Sequence, residues 1–253
     1  RTRRLKSASP TFDNSSHADA FDHFDVIFCA GPHHYAETRE RERRLGLKKK
    51  LLVRYGNGRI DDMTRMAARQ PASSVDRAAI LVAPSWGPQG LFETAGVPVL
   101  SALAETGHSV IARPHPETAK RNPSAFAALT KAFDGHPRVR FDLDAPSMAS
   151  FVDAQLLVSD WSGAAFEFAF ATGRPVIFWD GPVKCRNPDF RDLGLTPFEI
   201  AVRQELGVVV APENIADLPR TVDALLKGDT FQPPALFESA RRHVFNIGCS
   251  AGI

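Results

Sequence analysis

The chain is poor in cysteine, in long apolar runs and in excess charge, and each shortage excludes something. Its 253 residues contain three cysteines, Cys29, Cys185 and Cys249, and no CxxC pair. A disulfide framework or a zinc site is therefore not expected, and a reducing cytosol is the default compartment. No apolar stretch approaches the roughly 20 residues that a membrane-crossing helix needs. The start, Arg1-Thr2-Arg3-Arg4-Leu5-Lys6, is basic but is not followed by the apolar segment of a signal peptide. A formal net charge of +2 is too small to argue for nucleic acid. There is no internal repeat, no low-complexity tract and no initiator methionine. The chain is thus expected to begin inside a longer natural protein.

What remains is an ordinary globular composition, 43% hydrophobic and 24% charged. The length suits one large or two small domains with a proper core. Residues 1–21 read as a basic, then polar arm. Residues 22–72 carry two strand patterns, at 24–30 and 51–55, and two helix patterns. A Pro-Ala-Ser-Ser boundary at 71–74 precedes a second unit, 73–253, in which strands alternate with helices. That alternation predicts an α/β fold, a Rossmann-like parallel sheet with helices on both faces. Ligands of such sheets bind beyond the carboxyl ends of the strands.

The most informative stretch is SDWSGAAFEFAFATGRPVIFWD, residues 159–180. It follows an apolar strand pattern at 154–158, turns through small hydroxyl residues and opens a helix. The first N–H groups of a helix have no partner within it, and its dipole favours negative charge there. Ser159, Asp160, Ser162 and Gly163 are therefore candidate phosphate ligands. Glu167, about one turn on, is a candidate for ribose hydroxyls. The competing reading is that Ser162 only caps the helix and Glu167 is a surface residue. His115, in Arg113-Pro114-His115-Pro116, is held on a stiff loop by two prolines. It suits phosphate contact or proton transfer as the candidate catalytic residue, with Arg113 beside it as a candidate donor-phosphate ligand; a backbone-bonded loop histidine is the bland alternative. Trp86, after the strand at 78–82, is either a base-stacking or a rim aromatic. Arg59 and Asp61 read as a helix-start charge pair. His33 and His34 are adjacent and would face different ways, so a two-histidine metal site is not expected. The charge cluster at 39–50 is read as a solvated helix face, with an anionic membrane surface as the minority reading.

Taken in order, Asp25-x-Ile27-x-Cys29, YGNGRIDDM from Tyr55, VAPSW from Val82, RPHP from Arg113 and the Ser159 block resemble the CDP-glycerol glycerophosphotransferases of teichoic-acid synthesis. Related patterns occur in capsule polymerases and bacterial polysialyltransferases. The resemblance covers roughly residues 22–240. It implies the C-terminal donor-binding lobe of a glycosyltransferase-B fold plus part of the N-terminal lobe. It also implies a CDP-alcohol or CMP-sugar donor, a polyol-phosphate or glycan acceptor, and no metal or other cofactor. His115 matches the histidine on the donor phosphates, and Ser162 the motif serine there. Ser159 and Asp160 match the motif's opening pair, and Glu167 stands where the family often has Asp. Arg59 and Asp61 match an Arg and Asp of the interlobe segment.

Three departures stand out. Gly163 replaces a common second serine, and Gly87 replaces an arginine after Trp86. The family's Trp-His-Gly histidine is expected upstream of residue 1. The resemblance therefore implies a cytoplasmic transferase, at the inner face of a bacterial membrane in its relatives, that lacks its acceptor base in this chain. The alternatives are a nucleotide-sugar epimerase or hydrolase of the same fold, and a truncated nucleotide-binding module.

Overall fold

Three parallel strands, β1 (Leu5–Ser7), β2 (Val26–Cys29) and β3 (Leu51–Arg54), pair in the order β1-β2-β3. The computed structural model describes residues 5–7, 21–69, 79–184, 194–228 and 233–250. Leu5–Ser7, expected within a polar arm, instead form an edge strand: backbone pairing with β2 decides their conformation. The boundary at 71–74, residues 1–4 and 8–20 of the arm, and Cys185 lie outside the described residues. Helix α1 (Pro32–Leu45) joins β2 to β3, with Pro at its start and Gly46 in the left-handed region at its end. Its arginines are engaged: Arg39 pairs with Glu42, Arg43 and Arg44 with Glu40, and Arg41 with Asp22. Helix α2 (Gly58–Arg69) follows β3.

The second unit runs β4 (Ile80–Val82), α3 (Leu91–Thr94), α4 (Gly96–Glu105), β5 (Val110–Ala112), α5 (Pro116–Arg121), α6 (Pro123–Ala132) and β6 (Val139–Phe141). It continues through α7 (Ala149–Asp153), β7 (Leu156–Ser159), α8 (Gly163–Thr172), β8 (Val176–Trp179), α9 (Phe198–Ala201), α10 (Arg203–Leu206) and β9 (Gly207–Val210). A 3-10 turn, α11 (Leu218–Leu226) and α12 (Pro233–His243) complete it. All six strands are parallel, in the order β6-β5-β4-β7-β8-β9.

Period-two alternation builds two apolar layers. Leu81, Ile111, Leu157, Val176 and Phe178 face a core shared with Phe151 and Val152 of α7, Phe166, Phe168 and Phe170 of α8, and Leu236 and Ala240 of α12. Ile60 and Met63 of α2 are buried in that same layer. Ile80, Val82, Val110, Leu156, Val158 and Ile177 face the other, with Leu91, Leu100, Leu103, Val222 and Leu225. Burial on both faces explains why these strands read as continuous apolar runs.

The sheet grows outward in one direction from β4 and in the other from β7. Loops after these two neighbours diverge, which opens a crevice at their carboxyl ends. Beyond α12 the chain returns to the small sheet. Phe245 N–H donates to Ala30 O, and the Asn246 side chain donates to the carbonyls of Arg54 and Tyr55. The return needs glycine at two places. A Cβ on Gly31 would lie 1.9 Å from His243 O, and one on Gly56 (φ 99°) 2.3 Å from Phe245 O.

Candidate functional site

The crevice holds a cleft of about 270 Å³. Its walls come from the segments after four successive strands. Ala83 and Pro84 follow β4, the Arg113–His115 turn follows β5, Asp142 and Leu143 follow β6, and Ser162 follows β7; Arg59 of α2 closes one side. His115 and Ser162, 47 positions apart by number, thus share one hollow.

Both residues are helix N-caps. Ser162 adopts extended backbone, and its Oγ accepts from Ala164 N–H at 3.4 Å, a long contact that holds the hydroxyl only weakly. The ten-residue helix α8 therefore presents its N-terminal dipole at the cleft, with Gly163 as its first residue. At α5, Pro116 occupies the first helical position and His115 Nδ1 accepts from Glu117 N–H at 3.1 Å. With Nδ1 engaged as an acceptor, the neutral ring carries its proton on Nε2. The backbone bond of the bland reading exists, and it is made through Nδ1.

Several of the expected phosphate or ribose ligands make bonds within the protein. The Arg113 side chain is buried and its two terminal nitrogens are engaged. They bond Asp142, Ser150 Oγ at 3.1 Å, and the carbonyls of Asp144, Ala145 and Ser147 at 3.0, 2.8 and 2.7 Å. Arg113 is a clamp on the 142–150 segment and does not bind a ligand through these atoms. Ser159 is fully buried and donates to Ala83 O at 2.7 Å, tying β7 to β4. Asp160 is buried too; its oxygens accept from the N–H groups of Ser85 at 2.6 Å and Leu91 at 3.0 Å. A carboxylate facing a phosphate would repel it, whereas here it holds the loop after β4 in place.

Trp86 is not part of the cleft wall. Its ring lies 6.0 Å from that of His115, with Arg121 and Lys184 5.0 and 4.8 Å from its centroid. Glu167 accepts from Arg59, Nε to Oε2 at 2.6 Å. Asp61 does not pair with Arg59. It is buried and accepts from Gly248 N–H at 2.7 Å and Ser250 N–H at 2.8 Å, which pins the returning C-terminal segment to α2.

Asp142 escaped the sequence reading. The signal was available, since it directly follows a strand of the parallel sheet, as the selected residues do. Burial works to raise its pKa. Hydrogen bonds from Ser150, the Asp144 amide and Arg113, with the Arg113 charge, hold it below the usual carboxylate range. A depressed carboxylate adds stability above its unfolded pKa of about 3.9, and that stability is lost as pH falls through the lower folded value. Acid titration of the urea midpoint should therefore show a loss below about pH 4. Asp142→Asn should be less stable at neutral pH and flatter on the acid side. An acid limb unchanged in Asp142→Asn would assign the loss to other groups.

Elsewhere, His34 is buried and its Nδ1 accepts from Ala30 N–H at 3.0 Å. Burial, then the neighbouring His33, keeps its pKa well below the ordinary value. Burial pushes the Cys29 thiol up to about 11, which makes it a core residue of low reactivity. Among the described residues no group of three or more His, Cys, Asp or Glu is placed to hold a metal, and no helix is long and apolar enough to cross a membrane.

The fold superposes on those of solved structures. A wall teichoic acid polymerase, TagF, superposes with a TM-score of 0.52 at 15% identity, over 91% of this chain and 56% of that one. A Listeria monocytogenes protein designated a UDP-N-acetylglucosamine 2-epimerase gives 0.58 at 16% identity, over 90% and 57%. A Rickettsia africae glycosyltransferase gives 0.52 at 11%, over 94% and 64%. The fold is of the glycosyltransferase-B type. At these identities the likeness is one of fold, and the chain spans under two thirds of each structure. No protein-family model matches the chain, and no curated protein matches it in sequence.

Proposed function

We propose that this chain carries the donor site of a transferase that uses a CDP-linked or CMP-linked donor. The acceptor is the hydroxyl of a polyol phosphate or glycan in a surface polymer. The observation that carries the reading is the meeting of His115 and Ser162 on one cleft at the sheet's carboxyl edge. The acceptor oxygen forms its bond to the donor's phosphorus, or to its anomeric carbon, as the bond to CMP breaks and the hydroxyl proton passes to solvent. Charge on the departing CMP is held by the Nε2–H of His115, the Ser162 hydroxyl and the N-terminus of α8. Such groups lower the barrier because they bind the developing charge more strongly than the intact donor.

Thermal shift with CMP, CDP, UMP and UDP tests the reading. A preference for cytidine nucleotides is expected. His115→Ala and Ser162→Ala should each weaken it about tenfold, the worth of one charge-assisted hydrogen bond. A shift that survives both substitutions would remove the cleft from consideration. The likeness to a 2-epimerase supports a second reading, a nucleotide-sugar epimerase. Preference for UDP, with isomerised sugar among the products, would select it.

A further inference from the structure

The Arg113 terminal nitrogens are engaged by the protein, so a cation for the ligand has to come from elsewhere. Arg59 meets that need. It stands in the first turn of α2, lines the cleft, and keeps 43% of its side chain exposed. Asn57 Oδ1 caps this turn, accepting from the N–H groups of Arg59 and Ile60 at 2.9 and 3.3 Å. Glu167, whose side chain is 12% exposed, takes the Nε edge of the guanidinium at 2.6 Å. Among the described residues nothing bonds the two terminal nitrogens. The carboxylate therefore fixes the plane of the group and leaves its forked end to a ligand, the geometry that suits phosphate oxygens.

We propose that Arg59 is the cation that holds a pyrophosphate in this cleft, that Glu167 positions it, and that the ligand class is a nucleoside diphosphate-linked donor. The proposal rests on the reading of the cleft as a donor site. A diphosphate diester carries one negative charge on each phosphate, where a CMP-linked sugar has a single bridging phosphate. The N-terminus of α8 with Ser162, beside His115, accommodates one phosphate, and Arg59 supplies a full charge for the second. Burial raises the pKa of Glu167 and the charge of Arg59 opposes that rise. The guanidinium can thus serve both partners at once, Nε on Glu167 and the fork on the ligand.

Calorimetric titration of the full chain with CDP, CMP and inorganic pyrophosphate tests this. Wild-type protein should prefer CDP to CMP. Arg59→Gln should raise the Kd for CDP and pyrophosphate about 10- to 100-fold and that for CMP no more than about threefold. Arg59→Lys should recover only part of the loss, because an ammonium cannot bond carboxylate and phosphate through two fixed edges. Glu167→Gln keeps the cation but loosens it, so the CDP-over-CMP preference should shrink at an unchanged melting temperature. If Arg59→Gln folds poorly with its buried carboxylate unpaired, the double variant Arg59→Gln, Glu167→Gln replaces it. A folded Arg59 variant that retains the wild-type CDP-over-CMP ratio would overturn the assignment. An unchanged ratio in Glu167→Gln would overturn the positioning role. Wild-type protein that binds none of the three ligands would instead overturn the donor-site reading itself.

Discussion

Arg113→Ala is expected to lower the unfolding free energy by about 3–5 kcal/mol, the usual cost of breaking a buried ion pair by removing one partner. The loss has two parts. The Asp142 carboxylate, whose side chain is only 12% exposed, is left without its cation. The carbonyls of Asp144, Ala145 and Ser147 lose the donor that gathers them, and the guanidinium no longer covers the Phe151 ring at 5.2 Å. Because Asp142, Leu143 and Ala145 line the cleft, loosening this segment should also remove nucleotide binding. Arg113→Lys should rescue little, since a single ammonium cannot reach five acceptors. Urea denaturation followed by circular dichroism measures the first effect. A variant with wild-type stability and weakened ligand binding would return Arg113 to the role of a direct phosphate ligand.

Asp160→Ala should cost about 2–4 kcal/mol, because two buried N–H groups, those of Ser85 and Leu91, lose their acceptor. Asp160→Asn should do nearly as badly, since its amide turns a donor toward one of them. At a temperature where the variant remains folded, nucleotide affinity should change little compared with Ser162→Ala. Stability unaffected and affinity lost would mean that the carboxylate acts on the ligand after all.

These two residues show how far the sequence could be read. Both were picked out as phosphate ligands because they stand in polar turns at strand ends, and both do belong to the edge that carries the cleft. Their actual partners are distant in the chain. Asp160 bonds a backbone group 75 positions away, and Arg113 bonds a side chain 37 positions away. Arg59 was legible as a charged helix start, but its ion pair spans 108 positions. A local pattern records which residues are polar and where the chain turns. It carries no information on which polar group satisfies which.

The sequence by itself determined the layered α/β architecture and the edge at which a ligand would be sought. Apolar runs, helix starts and Gly/Pro turns are short-range signals that every folded state must respect. Only the tertiary structure decided the division of labour there. His115, Ser162 and Arg59 line the hollow, Ser159, Asp160 and the Arg113 guanidinium hold its walls, and Asp61 pins the returning C-terminal segment. The reason is the cost of burying a polar group without a partner. Once the sheet forms, each side chain trapped beneath the edge is drawn to the nearest unsatisfied backbone or charge, and those left above it are available to a ligand.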